Sequence, residues 1–291
     1  MNAGSPAQRI RDLLAAGTTV NMPGVYDALS ARLASEGGFE VLFVSGYSVA
    51  ASRLGMPDYG YLTQTEIVDT ARAVCANTAS PVIVDADTGY GNPLNAMHTA
   101  RLLHRAGAGG LFLEDQEWPK KCGHFAGKRV VDRQEWLGKL RAVRDLRGEG
   151  VDLFVVARTD ARAAVSLEEA IARAQAARDL GVDAVFVEAP ETVDDLERVA
   201  REVEGVVRVA NMIEGGRTPL LTPAELHDLG YDLIVTPLTG LFAAARALRD
   251  AYAVLRAKGT LRDDPDLVVS FEGFADVVDL AGHRDLERRY A

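Results

Sequence analysis

LFVVARTDARAAVSLEEAIARAQAARDLGVDAVFVEA, residues 153–189, decides the fold. It opens on a β-rich apolar run (153–160), continues through a segment with apolar spacing for one helix face (166–181) ending at Gly181, and closes on a second apolar run (184–189). Near-continuous hydrophobicity suits parallel strands buried on both faces, and glycine just past a helical segment is the usual stop. The same alternation extends in both directions. TVNM (19–22), VLFVS (41–45), PVIVDAD (81–87) and GLFLED (110–115) precede this unit, and VRVANM (207–212) and LIVTP (233–237) follow it, with Gly107 and Gly230 at further helix stops. Alternating β and α elements allow an open doubly wound sheet or a closed barrel. Eight repeats of this size favour a (β/α)₈ barrel of the TIM type, a fold that commonly fills one domain of about 250 residues. The expectation is therefore one barrel domain over 1–291, with 261–291 as a helical extension and one or two helices after Ser270.

The charge balance narrows function. With 32 Lys+Arg against 42 Asp+Glu the net charge is −10, the wrong sign for a surface that must neutralise nucleic-acid phosphates. An anionic small-molecule substrate would meet the same global repulsion, so its site must carry local cations or a metal. Cys75 and Cys122 do not form a disulfide framework. The N-terminal MNAGSPAQRIRDLLAAG has no apolar signal region, and no run of 18 apolar residues occurs. The expected protein is cytoplasmic and does not span a membrane.

Polar residues gather where the strands should end: Ser45, Asp85 with Asp87, Glu114 with Asp115, Arg158 with Asp160, Glu188, Asn211 and Thr236. Singly, Asp, Ser or Asn there reads as a helix cap. Caps do not require Arg158 or Glu188 inside a barrel rim, where an unpaired charge is costly. Asp85 and Asp87, two apart in an extended chain, and Glu114 on the neighbouring strand can converge as three carboxylates. Such a cluster calls for a hard cation, Mg²⁺, with Mn²⁺ as a substitute. DTGYGN (87–92) would let the backbone turn tightly beside it.

Residues 114–133 form the longest irregular stretch, which suits a lid. Within it, Lys120-Lys121-Cys122-Gly123-His124 sets a thiol beside two ammonium groups and an imidazole, surroundings that lower a thiol's pKa and suit acid/base work. An incidental cysteine in an exposed basic loop explains the spacing nearly as well. Cys75 has no cationic neighbours in sequence and is assigned no role. The histidines form no zinc spacing, and the Gly-Gly pairs at 109–110 and 215–216 build no phosphate loop.

Taken together, VSGYSVAASRLGMPDYG (44–60), DADTGYGN (85–92), LEDQ (113–116), KKCGH (120–124), ARTDA (157–161), VEAP (187–190) and NMIEGGRTPLLT (211–222) resemble the isocitrate lyase/phosphoenolpyruvate mutase superfamily from about Pro23 to Thr260. Within it, the chain is similar to the short KKCGH-type lyases of the 2-methylisocitrate, 2,3-dimethylmalate and petal-death-protein kind. The resemblance implies Mg²⁺-dependent carbon–carbon cleavage of a 2-hydroxy di- or tricarboxylate to a 2-oxo acid. It also implies a homotetramer with C-terminal helices exchanged between subunits.

By the same resemblance, Asp85 is a direct Mg²⁺ ligand, while Asp58, Asp87 and Glu114 hold the ion's waters. Ser45, Gly46, Tyr47 and Arg158 bind the carboxylate of the 2-oxo-acid half. Gly123, His124, Glu188 and Asn211 surround the other half, Lys121 adds positive charge for the substrate, and Cys122 is the acid/base thiol among the catalytic residues Cys122, His124, Arg158 and Glu188. Two positions depart from the methylisocitrate pattern: Phe43 stands where those lyases commonly carry Tyr, and Tyr47 where they often have Gly. The alternatives are a carboxyphosphonoenolpyruvate mutase, which shares the DAD-x-GYGN and KxCGH patterns, and a catalytically silent ligand-binding barrel.

Overall fold

Eight parallel strands pair in sequence order and close on themselves: β1 (Val20–Val25), β2 (Leu42–Val44), β3 (Val82–Asp85), β4 (Gly110–Glu114), β5 (Phe154–Thr159), β6 (Ala184–Val187), β7 (Val207–Asn211) and β8 (Leu233–Thr236). The seam pairs Val20 with Leu233 and Pro23 with Thr236. This is a computed structural model, and it describes residues 4–125 and 127–291. All eight apolar runs read from the sequence are strands of the barrel. β1 extends past the expected 19–22 to Val25. It passes the chain after β8 so closely that a Cβ on Gly24 would lie 2.0 Å from the Pro237 carbonyl oxygen.

Period-two alternation splits the strands between two cores. Met22, Phe43, Ile83, Phe112, Val156, Phe186, Val209 and Val235 form one cluster in the barrel interior, joined by Ile10 from the N-terminal helix Pro6–Ala15. Leu42, Val44, Val84, Leu111, Leu113 and Val155 face the helices, where they meet Ile67, Leu103, Trp136 and Leu140. In the interior, Phe112 stacks obliquely between Phe43 and Phe186, with ring centroids 4.8 and 5.7 Å away. Each such side chain contributes about 1.5–3 kcal/mol by leaving water.

The helices obey local rules. Helix Leu167–Leu180 is capped by the Ser166 hydroxyl, which accepts from the Glu169 N–H, and stops at Gly181 in the left-handed region (φ 89°). Its buried face carries Ala170, Ala174 and Ala177, small enough for close approach to the sheet. Gly107 and Gly230 likewise take positive φ just beyond helices Pro93–Arg105 and Pro223–Asp228.

The chain forms two compact units, Met1–Thr239 and Gly240–Ala291. The first is the barrel. The second holds nearly all of helix Thr239–Lys258, with helices Phe271–Val277 and Leu280–Tyr290, the two elements beyond Ser270. No residue of this second unit is buried, and it exposes Tyr252, Val269, Phe271 and Tyr290.

Candidate active site

At the carboxyl ends of the strands, where barrels place their chemistry, a half-open cavity is lined by Ser45, Tyr47, Asp58, Asp85, Cys122, Gly123, His124, Arg158, Glu188 and Asn211. The barrel therefore brings together ten of the residues singled out in the sequence. Gly46, Asp87 and Glu114 lie outside this lining. Lys121 does too: its ammonium turns to the Gly127 carbonyl at 3.4 Å and lies 5.8 Å from the Tyr59 ring centre. The apolar lining, Phe43, Phe112, Phe186, Ile213, Val235, Pro237 and Leu238, was not anticipated, although alternation within the strands already turned the three phenylalanines inward. The cavity holds about 40 Å³, room for a few waters.

The acidic side differs from the expected three-carboxylate cage. β3 ends at Asp85, and Asp87 adopts a left-handed φ of 47°, so the two do not project together from one extended strand. The Lys120 ammonium lies 2.7 Å from Asp58 Oδ1 and 2.7 Å from Asp87 Oδ1. Among the described residues, no group of three or more His, Cys, Asp or Glu is placed to hold a metal ion directly. Burial pushes Asp87 up to about 7 against the charge of Lys120, and it raises Glu114 well above the usual carboxylate range against Arg158.

Several features nevertheless suit an ion that keeps most of its waters. Among the described residues, neither Glu114 oxygen has a hydrogen-bond partner. Asp87 Oδ1 has none either, its contact with Lys120 being an ion pair without hydrogen-bond geometry. A Cβ on Gly46 would sit 2.9 Å from Asp85 Oδ2 and 3.5 Å from Asp87 Oδ1, so glycine leaves a cradle beside both carboxylates. An all-oxygen donor set of this kind matches the preference of Mg²⁺.

Opposite, Arg158 binds three carboxylates: its Nε lies 3.3 Å from Glu114 Oε2 and 3.0 Å from Asp160 Oδ2, and its Nη2 lies 3.1 Å from Glu188 Oε2. Burial alone would raise Glu188, but Arg158 and then His124 hold it well below the usual range. Asn211 Nδ2 lies 3.3 Å from each Glu188 oxygen. His124 Nδ1 accepts the Arg217 N–H at 2.9 Å, which leaves Nε2 to carry the proton, 3.4 Å from Glu188 Oε1. The backbone at Gly123 presses onto this pair, for a Cβ there would fall 2.6 Å from both Arg158 Nη2 and the Glu188 carboxyl carbon.

Cys122 stands between the two sides, 8% exposed, its N–H donating to the Asp58 carbonyl at 3.0 Å. Burial pushes its thiol up to about 12. The His124 backbone N–H opposes this, Asp58 and Glu188 add to it, and Lys120 offsets it only in part. The expected lowering by neighbouring lysines is thus corrected. Lys120 is engaged by Asp58 and Asp87, Lys121 points elsewhere, and the thiol is protonated at neutral pH.

Residues 10–256 match the family model described as phosphoenolpyruvate phosphomutase. The chain belongs to the phosphoenolpyruvate mutase/isocitrate lyase superfamily. Within this superfamily it is 50% identical over 275 residues to the petal death protein of Dianthus caryophyllus, covering 94% of this chain and 85% of that one. It is also 50% identical over 276 residues to the chloroplastic carboxyvinyl-carboxyphosphonate phosphorylmutase of Arabidopsis thaliana (94% and 81% covered). Identity to the 2,3-dimethylmalate lyase of Eubacterium barkeri is 40% over 285 residues, 98% of each chain. Among solved structures of the superfamily, oxaloacetate acetylhydrolase in complex with 3,3-difluorooxalacetate superposes with a TM-score of 0.92 at 34% identity, covering 98% of this chain and 96% of the other.

Proposed function

We propose that the protein is a Mg²⁺-dependent carbon–carbon lyase. Its substrate is a 2-hydroxy di- or tricarboxylate of the 2-alkylmalate or 2-methylisocitrate type, or oxaloacetate, and its products are a 2-oxo acid such as pyruvate (oxalate in the case of oxaloacetate) and a second carboxylate. The observation that carries this reading is the protonated, buried Cys122 thiol on one small cavity with Asp85 and the Arg158–Glu188 pair. A lyase needs an acid that delivers a proton to carbon, and a neutral thiol on the cavity that Arg158 lines meets that need.

In this reading Ser45, Gly46, Tyr47 and Arg158 hold the carboxylate of the half that becomes the 2-oxo acid. Gly123, His124 and Asn211, braced on Glu188, hold the other half. A base takes the substrate hydroxyl proton, C2 becomes the carbonyl carbon as the C2–C3 electrons leave with C3, and the Cys122 S–H protonates C3, its thiolate being reprotonated from solvent after product leaves. Asp85, with Asp58, Asp87 and Glu114 around it, would hold Mg²⁺, or Mn²⁺ in its place. When bound, the ion supplies Lewis-acid polarisation of the substrate's 2-oxygen and adjacent carboxylate. Lys121 has no part in contacting substrate in this arrangement. The floor of Phe43, Phe112, Phe186 and Leu238 suits an alkyl substituent, and Phe43 lacks the hydroxyl expected of a methylisocitrate enzyme. This favours 2-alkylmalates.

Release of the matching 2-oxo acid from a panel of 2-alkylmalates and methylisocitrate, or of oxalate from oxaloacetate, with and without Mg²⁺, tests the proposal. Release from none of them would refute it and leave a ligand-binding barrel. The 50% identity to a phosphorylmutase supports a second reading, formation of a P–C bond. A phosphonate signal in ³¹P NMR after incubation with carboxyphosphonoenolpyruvate would decide for it.

The exposed apolar side chains of the second unit, Phe271 at 93% and Tyr290 at 80%, support a homotetramer in which C-terminal helices are exchanged. No described helix is long and apolar enough to cross a membrane, and both cysteines are free. The cavity that Arg158 and Asn211 line supports small carboxylates as its partners.

A further inference from the structure

A second buried lysine follows the Cys122 segment, and neither the sequence motifs nor the proposed mechanism uses it. The Lys128 ammonium, on a side chain 1% exposed, lies 2.6 Å from Asp160 Oδ1 and also donates to the Gly123 carbonyl. Asp160 belongs to the barrel wall. Its N–H donates to Asp115 Oδ1 at 2.8 Å, and Asp115 is fixed in turn by the Thr159 hydroxyl at 2.6 Å and Arg173 Nη1 at 3.1 Å. Asp160 also accepts Arg158 Nε at 3.0 Å and Nη2 at 3.2 Å. Lys128 therefore ties the backbone beside Cys122 to the carboxylate that orients Arg158.

We propose that Lys128 is a positioning residue, the latch that holds the Cys122-Gly123-His124 backbone over Arg158. Three observations carry this. The ammonium meets one group on each side of the contact, the Gly123 carbonyl and the Asp160 carboxylate. Gly123 has no side chain, so its backbone rests directly on Arg158 and Glu188, and only its carbonyl is available as a handle. Finally, Arg158 faces Glu114, Asp160 and Glu188 at once, and a second cation on Asp160 leaves more of the guanidinium's charge for a substrate carboxylate.

Lys128 does not line the substrate cavity. It acts through Gly123 and Asp160, and its effect on turnover rests on the lyase reading, whereas its effect on the loop does not.

The test is alkylation of the full-length protein by iodoacetamide at pH 8, with the Cys122 and Cys75 peptides followed separately by mass spectrometry. Losing one partner of a buried ion pair corresponds to a factor of about 10²–10⁴. Lys128→Met is expected to accelerate Cys122 alkylation by that order and leave Cys75, the reference for global unfolding, unchanged. In the same variant kcat should fall more than KM rises, and Lys128→Arg, which keeps the charge, should recover part of both protection and turnover. Cys122 alkylation at the wild-type rate in Lys128→Met overturns the latch. Equal acceleration at Cys75, or failure of the variant to fold, also overturns it, because the lysine would then support the barrel rather than the loop. Acceleration confined to Cys122, in a protein whose wild type cleaves none of the acids, sustains the latch while the lyase reading falls.

Discussion

Lys120 and Asp87 form a 2.7 Å ion pair in which the two side chains are 2% and 1% exposed. Asp58 shares the same ammonium at 2.7 Å. Replacing it by Lys120→Met leaves two buried carboxylates without their cation, at a cost of about 3–5 kcal/mol in the metal-free protein. Added Mg²⁺ should restore more stability to this variant than to the wild type, since a ligand bound only by the folded state stabilises it. Thermal unfolding with and without Mg²⁺ measures this, and equal shifts in both proteins would count against an ion at Asp85, Asp87 and Asp58.

Cys122→Ser exchanges an acidic thiol for a much weaker acid of similar size. Turnover should drop by roughly 10²–10⁴-fold, the usual worth of a general acid. Mg²⁺-dependent binding of oxalate, followed by calorimetry, should stay near wild type. A variant that still turns over at the wild-type rate removes Cys122 from the mechanism.

With its thiol pushed up to about 12 by burial, Cys122 stays protonated across the working range. The sign is clear: a proton donor with a raised pKa remains loaded as pH rises. The alkaline limb of the kcat profile should therefore not show loss of this proton below about pH 10. The alkylation rate at Cys122 should continue to climb past pH 10, and a plateau near pH 8.5–9, the range of an ordinary thiol, would contradict the burial that sets this prediction.

At the barrel seam, the 2.0 Å approach between a Cβ on Gly24 and the Pro237 carbonyl oxygen admits no side chain. Gly24→Ala should cost at least about 1–3 kcal/mol, the range for overpacking, because a backbone atom cannot swing away. For a chain of this size, that lowers Tm by about 2–4 °C per kcal/mol, readable by circular dichroism.

Light scattering on the full chain should report an oligomer. The paired change Val269→Asp and Phe271→Asp, at side chains 61% and 93% exposed, should shift the mass downward without unfolding the barrel. An unaltered mass would exclude this face from the interface.

The barrel could be read from the sequence because strand and helix periods are local properties. Continuous apolar runs ending in Asp85, Glu114, Arg158 and Asn211 specified eight buried strands and the rim on which polar groups collect. Of the ten predicted site residues that line the cavity, Ser45, Asp85, Arg158, Glu188 and Asn211 follow from the strand ends, whereas Tyr47, Asp58, Cys122, Gly123 and His124 lie between strands and were legible only through the motifs that carry the resemblance. Sequence could not assign each charge to its partner. The twist at Asp87 (φ 47°), the choice of Lys120 over Lys121 for the acidic pair and the capture of Asp160 by Lys128 all depend on contacts between distant segments. The Cys122 thiol illustrates the limit most clearly. Its neighbours in the chain are cationic and imply a lowered pKa, whereas folding withdraws it from water and gives those cations to carboxylates, which reverses the sign. Periodicity acts along the chain and decides the fold; desolvation and ion pairing act across it, and only the tertiary structure decides them.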